Sequence, residues 1–226
     1  MRNFVQTGRK IVAIGRNFMD HAKELNNAIP KAPFFFLKPT SSYVQEPHPI
    51  ELPKGCDVHH EVELGVVIGK YGRDISAKDA ENYIAGYALG IDMSARNIQG
   101  DAKSKGLPWS ASKGFDTFCP ISSFIEKQKI LDAHNIQLWL KVDGALKQNG
   151  NTSDMMFKIP QLIESVSSIM KLQEGDLILT GTPKGVGPVF AGQTLTAGLK
   201  IPDGATLTEV SFPVVTRGGN FIYHAP

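Results

Sequence analysis

Apolar and polar positions are spaced mostly at strand periods along this chain. "KIVAI" (10–14) is a short apolar run that stops at Gly15, and "PFFFLKP" (33–39) is another, bounded by prolines. "IQLWLKVDGALKQNG" (136–150) sets Ile136, Leu138, Leu140 and Val142 on one face and then turns at Asp143-Gly144, which predicts a hairpin. Residues 60–70, 87–95 and 176–181 read as further strands, as does "TLTEVSFPVVTRGG" near the end. Helical spacing is scarcer. Residues 158–175 carry Ile159, Leu162, Ile163, Val166, Ile169 and Met170 at a 3.6-residue period. With Pro160 in the first turn and Gly175 as terminator, they predict an amphipathic helix. Shorter helices are expected over 17–26 and over 76–86, the second with Ser76 as N-cap and Gly86 as its end. Residues 41–55, with Pro47, Pro49 and Pro53, read as loop, and 97–113 as loop or short helix. Strands outnumber helices and do not alternate with them as βαβ units. The expected class is therefore α+β with a large, mostly antiparallel β portion.

The 226 residues suit one large domain or two small ones, and 42% hydrophobic content is enough to fill a core. A formal net charge of +2 gives no electrostatic footprint for nucleic acid or a membrane surface. No apolar run approaches the roughly 20 residues a membrane helix needs. Cys56 and Cys119 match no metal or redox spacing, so a reducing, cytoplasmic-type compartment is the default expectation. The first acid is Asp20, which leaves the N-terminus basic, a faint organelle-targeting flavour that an ordinary solvated start explains as well.

"HHEVELGVVIG" (59–69) poses the chemical question. In a strand, Glu61 and Glu63 share a face, with His59 beside them. Two carboxylates in an apolar run repel and are costly to bury, and a cation removes both costs. Asp92 in "YALGIDM" is the next buried-looking acid, on a face otherwise made of Ala88 and Gly90, small residues that leave room beside it. Glu61, Glu63 and Asp92 form an all-oxygen set of the kind Mg²⁺ or Mn²⁺ prefers. A His59-Glu61-Glu63 zinc site is a rival, and a surface ion-pair ladder is the plain alternative. His21 and Glu24 stand at i and i+3, so on a helix the carboxylate can raise the basicity of the imidazole; "DHAKE" also reads as a solvated helix face. Lys113 lies among small residues, between Ser112 and Gly114, where a surface lysine is the default. "TGTPKGVGP" (180–188) lacks the ending of a phosphate-binding P-loop and reads as a tight turn.

Taken in order, "AIGRNFMDHAKEL", "FFFLKPTSS", "HHEVELGVVIGK", "GYALGIDMSARNIQ", "KGLPWSASKGFDTFCPIS" and "GDLILTGTPKGVGP" resemble the signature of the fumarylacetoacetate hydrolase superfamily. The resemblance spans about Lys10 to Val215 and is greatest to the short branch of mitochondrial acylpyruvases that also act on oxaloacetate. It implies a β-roll of several sheet layers with peripheral helices, one catalytic domain over 1–226, and a homodimer. It also implies Mg²⁺ or Mn²⁺ on Glu61, Glu63 and Asp92, and a mobile lid on which Glu24 orients His21 as the base that activates water. Lys113 then becomes an enolate-stabilising cation, Gln99 and Thr182 contact the substrate carboxylate, and Arg96 lies nearby in a binding or structural role. The implied substrates are small 2-oxo acids, through hydrolysis of 3-acylpyruvates and decarboxylation or tautomerisation of oxaloacetate. Mitochondrial placement comes with the resemblance. Isomerisation of unsaturated 2-oxo dicarboxylates, or metal-dependent binding without turnover, are the alternatives. Where related sequences carry an acid after Gln99, this chain has Gly100.

Overall fold

In the computed structural model, which describes residues 1–26 and 28–225, the apolar runs pair mainly with segments distant in sequence. A six-stranded sheet runs in the order Ile125–Glu126, Ile84–Ile91, Val62–Ile68, Leu177–Leu179, Ile11–Ile14, Phe35–Lys38. Its Val62–Ile68 strand is buried at every position, which is why "VELGVVI" is almost continuously apolar and does not alternate. A five-stranded sheet follows the order Ala145–Asn151, Gln137–Val142, Thr194–Lys200, Thr206–Thr216, Ile50–Leu52. A three-stranded piece (Gly187–Pro188, Val58–His60, Ser94–Ala95) and a two-stranded one (Tyr43–Val44, Cys119–Pro120) join them. Most pairings are antiparallel. The Ile11–Ile14 strand runs parallel to Leu177–Leu179, and Ile50–Leu52 runs parallel to the end of Thr206–Thr216.

The larger apolar cluster joins one face of the six-stranded sheet (Val12, Leu64, Leu89, Ile91) to the five-stranded sheet (Leu138, Leu140, Leu199, Phe212) and the Ile159–Ile169 helix. A smaller cluster covers the opposite face with Phe4, Ala13, Val67, Ala88 and Leu179. The result is the layered, β-rich α+β architecture expected from the sequence, with short helices at its periphery.

Several elements differ from the sequence reading. The hairpin turns at Asp143 and Gly144 as expected, both at positive φ (48° and 80°), as a tight two-residue turn requires. The long helix stops at Ile169, and Met170 is already extended. Over 76–86, Ser76 does meet Asp79, Oγ to Oδ2 at 2.7 Å, but the turn yields only a 3₁₀ segment at Ala80–Tyr83 before the strand Ile84–Ile91 begins. Gly86 therefore lies inside a strand, where a Cβ would meet the Ile125 carbonyl oxygen at 2.2 Å. Residues 41–55 contain two short strands, and 97–113 fall largely in the helices Arg96–Ser104 and Ser110–Lys113. The 60–70 strand is broken at Glu61, with Val58–His60 in one sheet and Val62–Ile68 in another. The expectation of one domain over 1–226 touches Asn27 and Pro226, which lie outside the described residues.

Candidate active site

The break at Glu61 is where the site is built. Val62 pairs with Ile91 and Glu63 with Gly90, and the Asp92 N–H donates to the Glu61 carbonyl at 2.7 Å. This register brings three carboxylates to one end of the sheet. One oxygen each from Glu61, Glu63 and Asp92 lies within 4.8 Å of the others. Their exposures of 5%, 2% and 1% rule out a surface ion-pair ladder. The His59 alternative is not formed: its Nε2 faces Asp57 Oδ2 at 3.3 Å, outside the cluster. The small Ala88/Gly90 face does not leave open room beside Asp92. A Cβ on Gly90 would stand 2.8 Å from Leu179 Cδ2, so the glycine admits a neighbouring strand's leucine.

Three buried or part-buried cations face the three acids. The Lys113 ammonium donates to Glu61 Oε2 at 2.8 Å and to Asp92 Oδ2 at 2.6 Å. Lys38 donates to Asp92 Oδ1 at 2.7 Å and to the carbonyls of Met93 (3.3 Å) and Lys113 (2.5 Å). Arg96 pairs with Glu61 through one arm and donates to Gln99 Oε1 at 2.9 Å through the other. Burial alone would raise the Glu61 pKa, but Arg96 and Lys113 outweigh it and hold the carboxyl well below the usual range. Burial alone would depress Lys113, but Asp92 and Glu61 hold it above the ordinary lysine value, which favours the ammonium. Glu63 differs. Its oxygen accepts the Gly181 N–H at 2.7 Å, and burial together with the charges of Asp92 and Glu61 pushes its carboxyl well above the usual range. Gly181 is required there, since its φ is 99° and a Cβ would meet Asn17 Cβ at 2.8 Å. A buried all-oxygen set with one member held against its neighbours' charge fits a hard divalent cation.

The cluster floors a small cavity of about 40 Å³ lined also by Arg16, His21, Phe36, Gln99, Trp109 and Thr182. The Met19–Glu24 helix roofs it. The helix is fastened at both ends: Asp20 pairs with Lys184 at 3.0 Å, and the Glu24 carboxylate accepts the Gly185 N–H at 3.0 and 3.1 Å. His21 is buried beneath, its Nδ1 3.6 Å from Glu24 Oε2 and without a hydrogen-bond partner. Burial pushes its pKa down, so the imidazole is neutral and able to take a proton. The Thr182 hydroxyl donates to the Val62 carbonyl at 2.8 Å and accepts from Gln148 Nε2 at 2.8 Å, so its proton is already engaged. Gly100 falls on the exposed side of its helix, where a Cβ would meet nothing within 4 Å, so the departure there does not reach the cleft.

The nine residues that the family resemblance marks, His21, Glu24, Glu61, Glu63, Asp92, Arg96, Gln99, Lys113 and Thr182, come together at or around this cleft, and His59 does not join them. Lys38, Gln148, Arg16 and Trp109 were not anticipated. For Lys38 there was a signal, a lysine closing the apolar run "FFFLKP".

A buried three-carboxylate cluster at the end of a layered β fold, roofed by a histidine-bearing helix, defines a β-roll protein with a candidate divalent-cation site. The chain belongs to the fumarylacetoacetate hydrolase family: the family model described as fumarylacetoacetate (FAA) hydrolase C-terminal matches residues 10–213. It is 57% identical over 222 residues to "Oxaloacetate decarboxylase, mitochondrial" of Dictyostelium discoideum, covering 97% of this chain and 100% of that protein. It is 53% identical to "Oxaloacetate tautomerase FAHD1, mitochondrial" of Arabidopsis thaliana, covering 96% of each. Among solved structures, a yeast fumarylacetoacetate hydrolase family protein superposes with a TM-score of 0.89 at 35% identity, covering 99% of this chain and 100% of that one. The fumarylpyruvate hydrolase of Pseudomonas aeruginosa, in complex with Mn²⁺ and pyruvate, gives 0.84 at 33% identity, covering 93% and 91%.

Proposed function

We propose that this chain is a mitochondrial, Mg²⁺- or Mn²⁺-dependent enzyme that acts on small 2-oxo acids. Its reactions are decarboxylation or keto-enol tautomerisation of oxaloacetate and hydrolytic cleavage of short 3-acylpyruvates. The observation that carries this reading is the buried Glu61–Glu63–Asp92 cluster with the buried His21 lining the same cleft. The relatives named for oxaloacetate and the structural neighbour holding Mn²⁺ and pyruvate support it. Glu61, Glu63 and Asp92 hold the divalent ion. When bound, the ion supplies a Lewis acid for negative charge developing on a 2-oxo oxygen. Lys113 adds a fixed ammonium at the same place. In acylpyruvate cleavage His21 takes a proton from water as it attacks the distal carbonyl; the bond from that carbonyl to C3 then breaks, its electron pair forms the pyruvate enolate, and the proton passes to C3, while Glu24 holds the imidazole's orientation. Decarboxylation needs no activated water, and tautomerisation needs only proton transfer, so one site supports all three. Gln99 holds the substrate carboxylate end, Thr182 lines the same cleft, and Arg96 positions Gln99 and Glu61. Residues 1–226 act as one catalytic domain, and two copies pair as a homodimer.

The test is proton NMR of the purified protein with acetylpyruvate and with oxaloacetate in parallel, each with Mg²⁺ and with excess chelator. Metal-dependent formation of acetate and pyruvate establishes the hydrolase arm. Oxaloacetate consumed or equilibrated faster than the protein-free control, with acetylpyruvate untouched, leaves the decarboxylase or tautomerase arm alone. No metal-dependent change in either tube overturns the proposal and directs the search to unsaturated 2-oxo dicarboxylates, then to binding without turnover.

A further inference from the structure

Arg16 sits at the cleft and takes no part in the carboxylate cluster. It follows the strand Ile11–Ile14 and adopts a left-handed backbone, φ 54°. That conformation costs a non-glycine residue on the order of 1 kcal/mol, and such strain gathers at functional positions. The chain is pinned on both sides. Before Arg16, the Gly15 N–H donates to the Phe34 carbonyl at 3.0 Å. Where a Gly15 Cβ would stand, the Phe34 ring lies 2.2 Å away. After it, the Asn17 carboxamide donates to the carbonyls of Thr180 (2.9 Å) and Phe157 (3.0 Å).

The Arg16 guanidinium rests over the Phe34 ring, 5.6 Å from its centroid. Phe34 packs edge-on against Trp109 (6.0 Å), and Trp109 against Phe36 (5.3 Å). The Lys113 ammonium lies over Phe36 at 4.9 Å. This aromatic rack holds one cation at each end. The two differ in their partners. Lys113 is neutralised by Glu61 and Asp92, whereas Arg16 forms no ion pair among the described residues. An aromatic face attracts a guanidinium without cancelling its charge, so the fork stays available to an anion. Positive potential does accumulate beside it: the Lys103 ammonium, also lining the cleft, is pushed down by burial and by the charges of Arg16 and Arg96.

We propose that Arg16 is the residue that selects dicarboxylate 2-oxo acids: its guanidinium takes the substrate's distal carboxylate while the 2-oxo acid end reaches the Glu61–Glu63–Asp92 cluster. This rests on the function proposed above and adds to it a preference, oxaloacetate over acylpyruvates whose far end is uncharged.

Steady-state kinetics with Mn²⁺ on oxaloacetate and acetylpyruvate test the assignment in wild type, Arg16→Asn and Arg16→Lys. Asparagine tolerates the left-handed backbone and removes the cation. Lysine keeps the charge and loses the fork. In Arg16→Asn the ratio of the acetylpyruvate KM to the oxaloacetate KM falls about 10- to 100-fold, the loss of one charge-assisted contact to the bound substrate, whether the distal carboxylate is then kept in tautomerisation or leaves as CO₂. Arg16→Lys recovers part of it. An unchanged ratio in a variant that melts like wild type overturns the assignment, whether both activities persist or both collapse. Should Arg16→Asn fail to fold, Arg16→Lys decides alone, by a few-fold fall in the same ratio or none. Wild type inactive on both substrates overturns the parent function and this assignment with it.

Discussion

Replacing Lys38 by methionine should destabilise the metal-free protein by about 3 kcal/mol, and by less once a divalent ion is loaded. Methionine fills most of the volume of the lysine stem, so packing changes little and charge is what is removed. At 2.7 Å from Asp92 Oδ1, the gross attraction is about 6 kcal/mol at an effective dielectric constant of roughly 20. Burying an ammonium costs several kcal/mol, which offsets most of it. The intact pair is therefore worth little, but removing one partner is not neutral. It strands Asp92 Oδ1 and takes the ammonium from two carbonyls, Met93 and Lys113, and breaking a buried pair costs about 3–5 kcal/mol. The low end applies because Lys113 still holds the other Asp92 oxygen at 2.6 Å. For a chain of this size, 3 kcal/mol corresponds to a fall in Tm of about 6–12 °C. A bound divalent ion gives Asp92 a new partner and sits one positive charge freer of repulsion. Added Mn²⁺ should thus raise the Tm of Lys38→Met more than that of wild type. Thermal melts in excess chelator and across an Mn²⁺ titration measure both quantities. A metal-free loss under about 1 kcal/mol, or the same loss with and without Mn²⁺, refutes the reasoning.

Glu61→Ala and Asp92→Ala should each abolish Mn²⁺ binding in calorimetry and lower metal-dependent turnover at least about 100-fold, the scale on which partners of a metal site act; retained turnover removes the metal role. His21→Ala should abolish acetylpyruvate cleavage and spare oxaloacetate decarboxylation, whereas equal retention of both excludes His21 as the base. Burial sets the His21 pKa low, with Glu61 and Glu24 pulling it partly back. Because the base must be neutral, acetylpyruvate cleavage should be lost only as pH falls below the ordinary imidazole range, and Glu24→Gln should move that acid limb lower still; a limb above the ordinary value contradicts this. Gln148→Leu removes the carboxamide that accepts from the Val62 N–H (3.1 Å), meets His60 Nδ1 (2.8 Å) and donates to Thr182 Oγ1 and the Pro183 carbonyl (2.8 and 2.9 Å). Urea denaturation should show a loss of about 2–4 kcal/mol, and a change under about 0.5 kcal/mol would show that, contrary to about 1–3 kcal/mol per stranded group, these contacts carry no load.

The carboxylates were legible in the sequence because they break a pattern. Glu61 and Glu63 interrupt an apolar run, and Asp92 ends another, and a buried charge needs a partner wherever the run is folded. The break of the strand at Glu61 was not legible, since it depends on which sheet each half joins. The 76–86 segment fails for a related reason. Its Ser76–Asp79 turn is real, but a cap stabilises by about 1 kcal/mol, less than the ladder Ile84–Ile91 makes with two neighbouring strands. The Thr194–Lys200 strand did carry a signal, Leu195, Ala197 and Leu199 buried in alternation.

The cations were harder to read for a reason that bears on function. Lysine is exposed by default, and although Lys38 closes an apolar run, nothing local to it or to Lys113 says which acid, brought from elsewhere by sheet register, each will meet. Only the assembled cluster shows the balance: three carboxylates against Lys38, Lys113 and Arg96. That balance lets a buried set of acids fold without a metal, because each charge but that of Glu63 already has a partner in contact. It also sets what the site can accept next. A divalent ion on a balanced cluster leaves two positive charges in excess, and on the proposed function a dianionic 2-oxo acid brings two negative ones. Metal and substrate would then each bind better in the presence of the other, since coupling between two ligands of one site is reciprocal. A monoanionic acylpyruvate would bring one negative charge fewer into this positive cleft, and the charge it lacks is the one that Arg16, at the other end of the aromatic rack, is proposed to take.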